Sequence, residues 1–179
     1  MTFKKLTSQF VLLSAVASLT GCSTAGFKTT QKVDLARFMG PWHVAAGRFT
    51  MFEKEVHNAV EAYSYDEKSK TIKIDFSYRK GSTQGPLKKI PQTGEVVEGT
   101  NNAHWLVSPL WPFKFDYLIV DLAEDYSWVA VGVPSQKYLW IMFRKNNPVP
   151  EDVAPVVSRL NKIGYDTSNL VYVPQDWSN

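Results

Sequence analysis

Few residues of this 179-residue chain have the type and spacing for covalent chemistry. The three histidines, His43, His57 and His104, fall on separate segments without the spacing of metal ligands. Glu53, Glu55 and Glu61 could pair as general acid and base, but acids near strand ends are usually solvated. No glycine-rich phosphate loop and no nucleophile elbow is present. The expectation is therefore a protein that is not an enzyme and uses no cofactor or metal. Cys22 is the only cysteine, so it has no disulfide partner within the chain. What the sequence does supply is apolar surface spaced by two. Ile72, Ile74, Phe76 and Tyr78 alternate with Lys73, Asp75, Ser77 and Arg79, and the chemistry of such a face is the burial of apolar groups.

The first twenty-two residues are a separate unit. Met1 to Gln9 carries Lys4 and Lys5 and no acid, and Phe10 to Leu19 is mostly apolar and uncharged. This is the order of a secretory signal. The run is short of the ~20 apolar residues that a helix needs to span a bilayer. Leu19-Thr20-Gly21-Cys22 resembles the lipobox of bacterial lipoproteins. That resemblance implies removal of residues 1–21 and lipidation of Cys22, which anchors the protein to a membrane. Ser23, where an aspartate would favour inner-membrane retention, points to the outer membrane. Residues 22–32 then read as the lipidated N-terminus and a tether, whose nine or so residues reach at most ~30 Å.

Removing the leader takes Lys4 and Lys5 from 20 Lys+Arg, leaving 18 against 17 Asp+Glu, a formal charge of +1. The basic character is mostly a targeting signal, and with no basic stripe left, no nucleic-acid partner is expected. The remaining 158 residues fit one domain, placed at 33–179.

Short segments of strand character separated by turn-rich clusters run through this domain. The expected strands are Trp42 to Phe49, Val56 to Tyr65, Thr71 to Arg79, Gly94 to Thr100, His104 to Ser108, Asp116 to Leu122, Trp128 to Val133 and Tyr138 to Arg144. One helix is expected near the end, capped by Asp152, with Val153, Val156, Val157, Leu160 and Ile163 at helical spacing and Gly164 as its stop. That start places Pro155 in the first turn; a start one turn earlier puts it inside the helix. An extended piece, Asn169 to Pro174, follows.

The order of these segments carries a family resemblance. Gly40-Pro41-Trp42 at the first strand resembles the Gly-x-Trp signature of the lipocalins, Asp125-Tyr126 is similar to their second motif, and Arg144 sits where their third places an arginine. Together with the lipobox, the chain resembles the bacterial outer-membrane lipocalins of the apolipoprotein D-like branch. His43 is a departure, because relatives commonly carry an aromatic residue after the tryptophan. The resemblance implies an all-β fold, an eight-stranded up-and-down antiparallel β-barrel with one C-terminal α-helix on its wall. It also implies a structural role for Gly40, Trp42, Asp125, Tyr126 and Arg144, with the arginine lying across the tryptophan ring at the closed end.

Alternation then assigns the lining, because strand side chains point in and out by turns. If Arg144 is on the inward parity, so are Met142, Trp140 and Tyr138, while Leu139, Ile141 and Phe143 face outward, several of them under the helix. Trp42, Val44 and Ala46 share a face, as do Ile74, Phe76 and Tyr78. Tyr117 with Ile119, and Trp128 with Ala130, complete the expected lining. These groups either wall a cavity suited to an acyl chain or fill the barrel outright. Leu110, Trp111 and Phe113 lie in a loop at the expected mouth, either as an exposed lip or as a plug folded back into it.

The function expected from this reading is binding, storage or transport of fatty acids, lysophospholipids or similar amphiphiles at the outer membrane, with the domain facing the periplasm. The alternative is an envelope interaction module with a filled barrel. The oligomeric state stays open, a homodimer among the possibilities.

Overall fold

The computed structural model describes residues 26–29, 31–51, 53 and 55–177. Cys22 and the leader lie outside the described residues. A single helical turn, α1 (Leu35–Phe38), precedes eight barrel strands: β1 (Gly40–Arg48), β2 (Val56–Asp66), β3 (Thr71–Lys80), β4 (Leu87–Val96), β5 (His104–Leu110), β6 (Phe113–Leu122), β7 (Trp128–Gly132) and β8 (Leu139–Phe143). Helix α2 (Pro150–Lys162) and a two-residue strand, β9 (Val171–Tyr172), complete the order. Each strand pairs antiparallel with the next, and β1 pairs with both β2 and β8, so the sheet closes on itself. Closure removes the free edges that an open sheet would expose.

Alternation divides the apolar residues into two cores. The inward core contains Trp42, Val44, Tyr63, Ile72, Ile74, Phe76, Tyr78, Trp105, Tyr117, Ile119 and Met142. The outward core joins Ala45, Ala46, Leu118, Val120, Ala130, Leu139, Ile141 and Phe143 to Val153, Val156 and Leu160 of α2. Arg159 pins this helix to the wall, its Nε and Nη2 donating to the carboxylate of Asp121 at 2.9 and 3.1 Å. Asp121 is buried on β6, so the bidentate pairing supplies what water would otherwise supply.

Four expectations are corrected. The fourth strand is Leu87–Val96 rather than Gly94 to Thr100. Its first half pairs with β3 alone, which leaves an unpaired side to accommodate Pro91, and Gly99, Asn101 and Asn102 turn the chain with positive φ. Helix α2 begins at Pro150 with Val149 as its cap, so Pro155 lies inside it. Asp152 is instead the third helical residue, and its carboxylate accepts from the Val149 N–H at 2.7 Å. Ala46 faces outward, because a register shift between Val44 and Ala46 reverses the parity of β1.

The fourth correction concerns the tether. Phe27 stands edge-on to Tyr165 with ring centroids 4.9 Å apart, and its N–H donates to the Pro134 carbonyl at 2.7 Å. Gly26 allows this docking, since a Cβ there would lie 2.8 Å from Pro134 Cβ. Gln31 reaches Asp121 and the Val33 N–H donates to the Asn101 carbonyl. Gly26, Phe27 and Gln31, in the segment read as a tether, therefore lie on the barrel wall.

The C-terminal segment closes a split in the wall. Strands β1 and β2 pair only from Gly40 to His43 on β1, after which β9 takes the place of β2 beside Ala46 and Gly47. The Asn58 side chain bonds both backbone groups of Asp176, and Gln175 Nε2 donates to the carbonyls of Val44 and Ala59.

Candidate functional site

The residues that could bind a ligand lie inside the barrel, between a sealed end and an open one. The sealed end forms where α1 folds beneath Trp42. Asp34 caps that turn by accepting from the Arg37 N–H at 3.2 Å, while its own N–H donates to Tyr126 Oη at 2.8 Å. Trp42 is fully buried and donates from Nε1 to the Phe38 carbonyl at 2.8 Å. The Arg144 guanidinium lies 3.8 Å from the centre of the Trp42 ring and donates to the carbonyls of Pro41, Arg37 and Phe38 at 2.8–2.9 Å. Gly40 adopts φ +95°, and a Cβ there would come within 3.3 Å of Arg144 Nη1. Tyr126 sits in the β6–β7 turn with φ +63° and carries the Arg37 guanidinium 4.1 Å above its ring. Asp125 accepts from the Ser127 N–H at 2.9 Å, and this hydrogen bonding holds its carboxyl below the usual range. These five motif residues thus brace the closed end.

Above this plate is a polar floor. Phe38, Tyr63 and Trp105 form an aromatic cluster with centroids 5.1–5.9 Å apart, and Trp105 stacks flat on Tyr117 at 5.2 Å. Glu61 points inward from β2, its Oε2 accepting hydrogen bonds from the hydroxyls of Tyr63 and Tyr117, which also contact each other. Burial pushes the Glu61 carboxyl up to about 7, an effect that Glu53 reinforces and the Tyr63 hydrogen bond opposes. The same burial and the adjacent acid raise both phenols. The expectation that Glu61 is solvated fails here. Its place on the inward parity, two residues before Tyr63, was the available signal.

The walls rise from this floor. Ile74, Phe76 and Tyr78 of β3, Ile119 of β6 and Met142 of β8 all lie in the inward core. Trp140 packs against it and donates from Nε1 to Glu53 Oε1 at 2.9 Å, while Glu53 Oε2 accepts from Thr50. Three further expected lining residues lie elsewhere. Trp128 faces outward with Ala130, 5.4 Å below the Arg159 guanidinium, because its directly opposite partner is the outward Phe143. Tyr138 precedes β8 in the β7–β8 loop and leans on Trp140 at 6.0 Å, at the rim rather than the wall.

At the mouth, the turn Trp111-Pro112 links β5 and β6, with Leu110 opposite Phe113. Leu110, Trp111 and Phe113 are 69%, 86% and 60% exposed, so they form a lip and do not plug the lumen. The sequence reading missed Phe115, which lies 57% exposed on the inward face of β6. A cleft of about 440 Å³ near the closed end is lined by Asp34, Leu35, Met39, Tyr63, Tyr65 and Glu67 among others, and none of the mouth residues lines it. The histidines do not converge: His43 rests edge-on to Trp177 with its imidazole held below the usual range by burial, His57 bonds the Glu55 carbonyl, and His104 pairs with Asp116 across strands. Among the described residues no group of three His, Cys, Asp or Glu side chains could hold a metal.

The family model for the lipocalin-like domain matches residues 33–175. The chain belongs to the lipocalin family. This lipocalin is 24% identical over 169 residues to the outer membrane lipoprotein Blc of Vibrio cholerae, covering 93% of the chain and 97% of that relative. It is 25% identical over 155 residues to the Escherichia coli protein of the same name, covering 86% and 85% respectively. Among solved structures it superimposes on insecticyanin of the tobacco hornworm Manduca sexta with a TM-score of 0.61 at 18% identity, covering 87% of this chain and 88% of that one. Lobster apocrustacyanin A1 gives 0.59 at 19% identity, with 79% of each chain covered. At these identities the structural likeness establishes the fold alone.

Proposed function

We propose that this lipocalin carries fatty acids, lysophospholipids or related amphiphiles in its barrel, held at the periplasmic face of the outer membrane by a lipid on Cys22. One observation carries the reading. Down the inward face of β6, exposure falls from 60% at Phe113 and 57% at Phe115 to 8% at Tyr117 and none at Ile119. Inward side chains left exposed at the rim offer an apolar entry for an acyl chain, which supports the carrier over a barrel covered at its mouth. Lys88, opposite Tyr78 on the same face of the sheet, is exposed at the rim and can meet an anionic headgroup. Binding would rest on apolar burial, about 0.8 kcal/mol per enclosed methylene before ordering costs.

The anchor rests on the lipobox resemblance and on likeness to proteins named outer membrane lipoproteins. With Phe27 docked on the β7–β8 loop, about five residues separate Cys22 from that contact, a span of at most roughly 17 Å. Its attachment is at the mouth end, where the β5–β6 lip also lies.

Mass spectrometry of lipids extracted from the purified protein, with titration of a fluorescent fatty acid, tests the carrier. Co-purified acyl lipid and saturable binding support it, and the loss of both overturns it. Labelling cells with radioactive palmitate tests the anchor, since Cys22→Ser should remove the label and release the protein from the membrane fraction.

A further inference from the structure

The floor of the lumen carries a polar group that apolar burial does not require. Glu61 is 5% exposed and lies opposite Trp42 on β1 and Phe76 on β3. Two phenol hydroxyls converge on its Oε2 and on each other, so both phenol protons are used within the cluster. Oε1 makes none of these bonds. Nor is it sealed: among the described residues the side-chain polar atom that is both fully buried and unpaired is His43 Nδ1. Oε1 therefore keeps a small accessible surface, and Glu61 faces inward.

Among the described residues, the groups that act on Glu61 are neutral hydroxyls and one further acid. Tyr63 and Tyr117 face it from β2 and β6, and Glu53 acts on it from the β1–β2 connection. The guanidinium of Arg144 lies on the Trp42 ring with its hydrogens given to three backbone carbonyls. No lysine or arginine among the described residues makes an ion pair with Glu61.

We propose that Glu61, positioned by Tyr63 and Tyr117, is a specificity-determining subsite at the lumen floor that hydrogen-bonds an uncharged hydroxyl at the deep end of an amphiphile and excludes an anion there. This deepens the carrier reading and rests on it. A hydroxyl both donates and accepts, so it matches Oε1 whether or not the acid holds its proton. A methyl end displaces water from Oε1 and returns nothing, and a carboxylate meets an acid with no cation among the described residues paired to it. The charged head of the ligand stays at the rim near Lys88.

Three ligands that differ only at the far end separate these cases: dodecanoate, 12-hydroxydodecanoate and dodecanedioate, each competing with the neutral lumen probe N-phenyl-1-naphthylamine on the purified protein. The hydroxy acid should bind about three- to tenfold more tightly than dodecanoate, the worth of one hydrogen bond, and the diacid at least tenfold more weakly. In Glu61→Leu the hydroxyl advantage should vanish while dodecanoate binds no worse. In Glu61→Gln the advantage should persist, because an amide donates and accepts, and the diacid should regain most of its loss. The same ranking of the three ligands in wild type and Glu61→Leu overturns the subsite alone. Should Glu61→Leu fail to fold, an unrelieved diacid penalty in Glu61→Gln overturns it equally. If no ligand displaces the probe from the wild-type protein, the carrier reading falls and this inference falls with it.

Discussion

Replacing Glu61 by glutamine should stabilise the barrel, and increasingly so as pH rises. The carboxyl titrates near 7 when folded, against 4.5 for an unperturbed glutamate, because burial disfavours its charged form. Between those values the folded state holds a proton that the unfolded chain has released. The unfolded state thus binds fewer protons, and stability falls as pH rises through the window. Each unit of displacement is worth about 1.4 kcal/mol, so the full penalty above pH 7 is about 3 kcal/mol. At pH 5, where the folded carboxyl is almost wholly protonated, it is only about 1 kcal/mol. Glutamine never ionises and its carbonyl can still accept from Tyr63. Urea denaturation of both proteins at pH 5, 6, 7 and 8 should show an advantage for Glu61→Gln that grows by about 2 kcal/mol across the series. In a domain of this size that is a Tm difference widening by roughly 4–8 °C. Asp66, Asp125, Asp152 and Asp166, all held below the usual range by hydrogen bonds, bend the pH curve of each protein in the opposite sense but cancel in the difference. A difference that stays flat from pH 5 to pH 8 would refute the reasoning, since it would mean that Glu61 titrates as a solvated acid.

Arg159→Ala should cost about 2–3 kcal/mol in urea denaturation, because it strands a buried Asp121 carboxylate, and adding Asp121→Asn should recover part of that loss. Arg144→Met should cost about 2 kcal/mol by removing the cover of Trp42 and three charge-assisted hydrogen bonds, yet leave fatty-acid affinity unchanged in a fluorescence titration, since the guanidinium lies outside the lumen. Trp111→Ser with Phe113→Ser should leave Tm within about 1 °C, because both side chains are mostly exposed, while reducing co-flotation with liposomes and uptake of a fluorescent fatty acid. Unchanged flotation and uptake would remove the lip from the account.

The elements most legible in the sequence were those whose physics is local. Gly40, Trp42, Tyr126 and Arg144 are set by a positive φ, a ring and a guanidinium within a few residues of strand ends, and β3 alternates because one of its faces is wet. Errors gathered where parity breaks or a chain lies on a chain. Bulges between Val44 and Ala46, and between Ile119 and Asp121, turn side chains to the opposite face, and neither leaves a mark in composition. Trp128 is as apolar as a lining residue, and only its pairing with Phe143 sends it under α2. Phe27, in a polar stretch, gave no local cue that Tyr165 would receive it. Glu61 was misjudged because its phenol partners come from two strands, with Tyr117 fifty-six residues away.

The docked tether decides more than distance. Strands of ten or eleven residues are roughly 33 Å long and, tilted as barrel strands are, make a barrel about 25 Å high. The ~30 Å tether expected from sequence would let either end of such a barrel rest on the membrane. A tether of roughly 17 Å leaving from the Pro134 loop would not, because with the closed end down its attachment point would stand beyond reach. Under the proposed anchoring the mouth therefore faces the bilayer, with the exposed Leu110, Trp111 and Phe113 on that side. Inserting ten glycine and serine residues between Ser23 and Gly26 should free the orientation. Transfer of a fluorescent fatty acid from vesicles to the vesicle-anchored protein should then slow several-fold, while its affinity in detergent-free solution stays the same. Equal transfer rates for the two tethers would show that docking of Phe27 has no part in presenting the mouth.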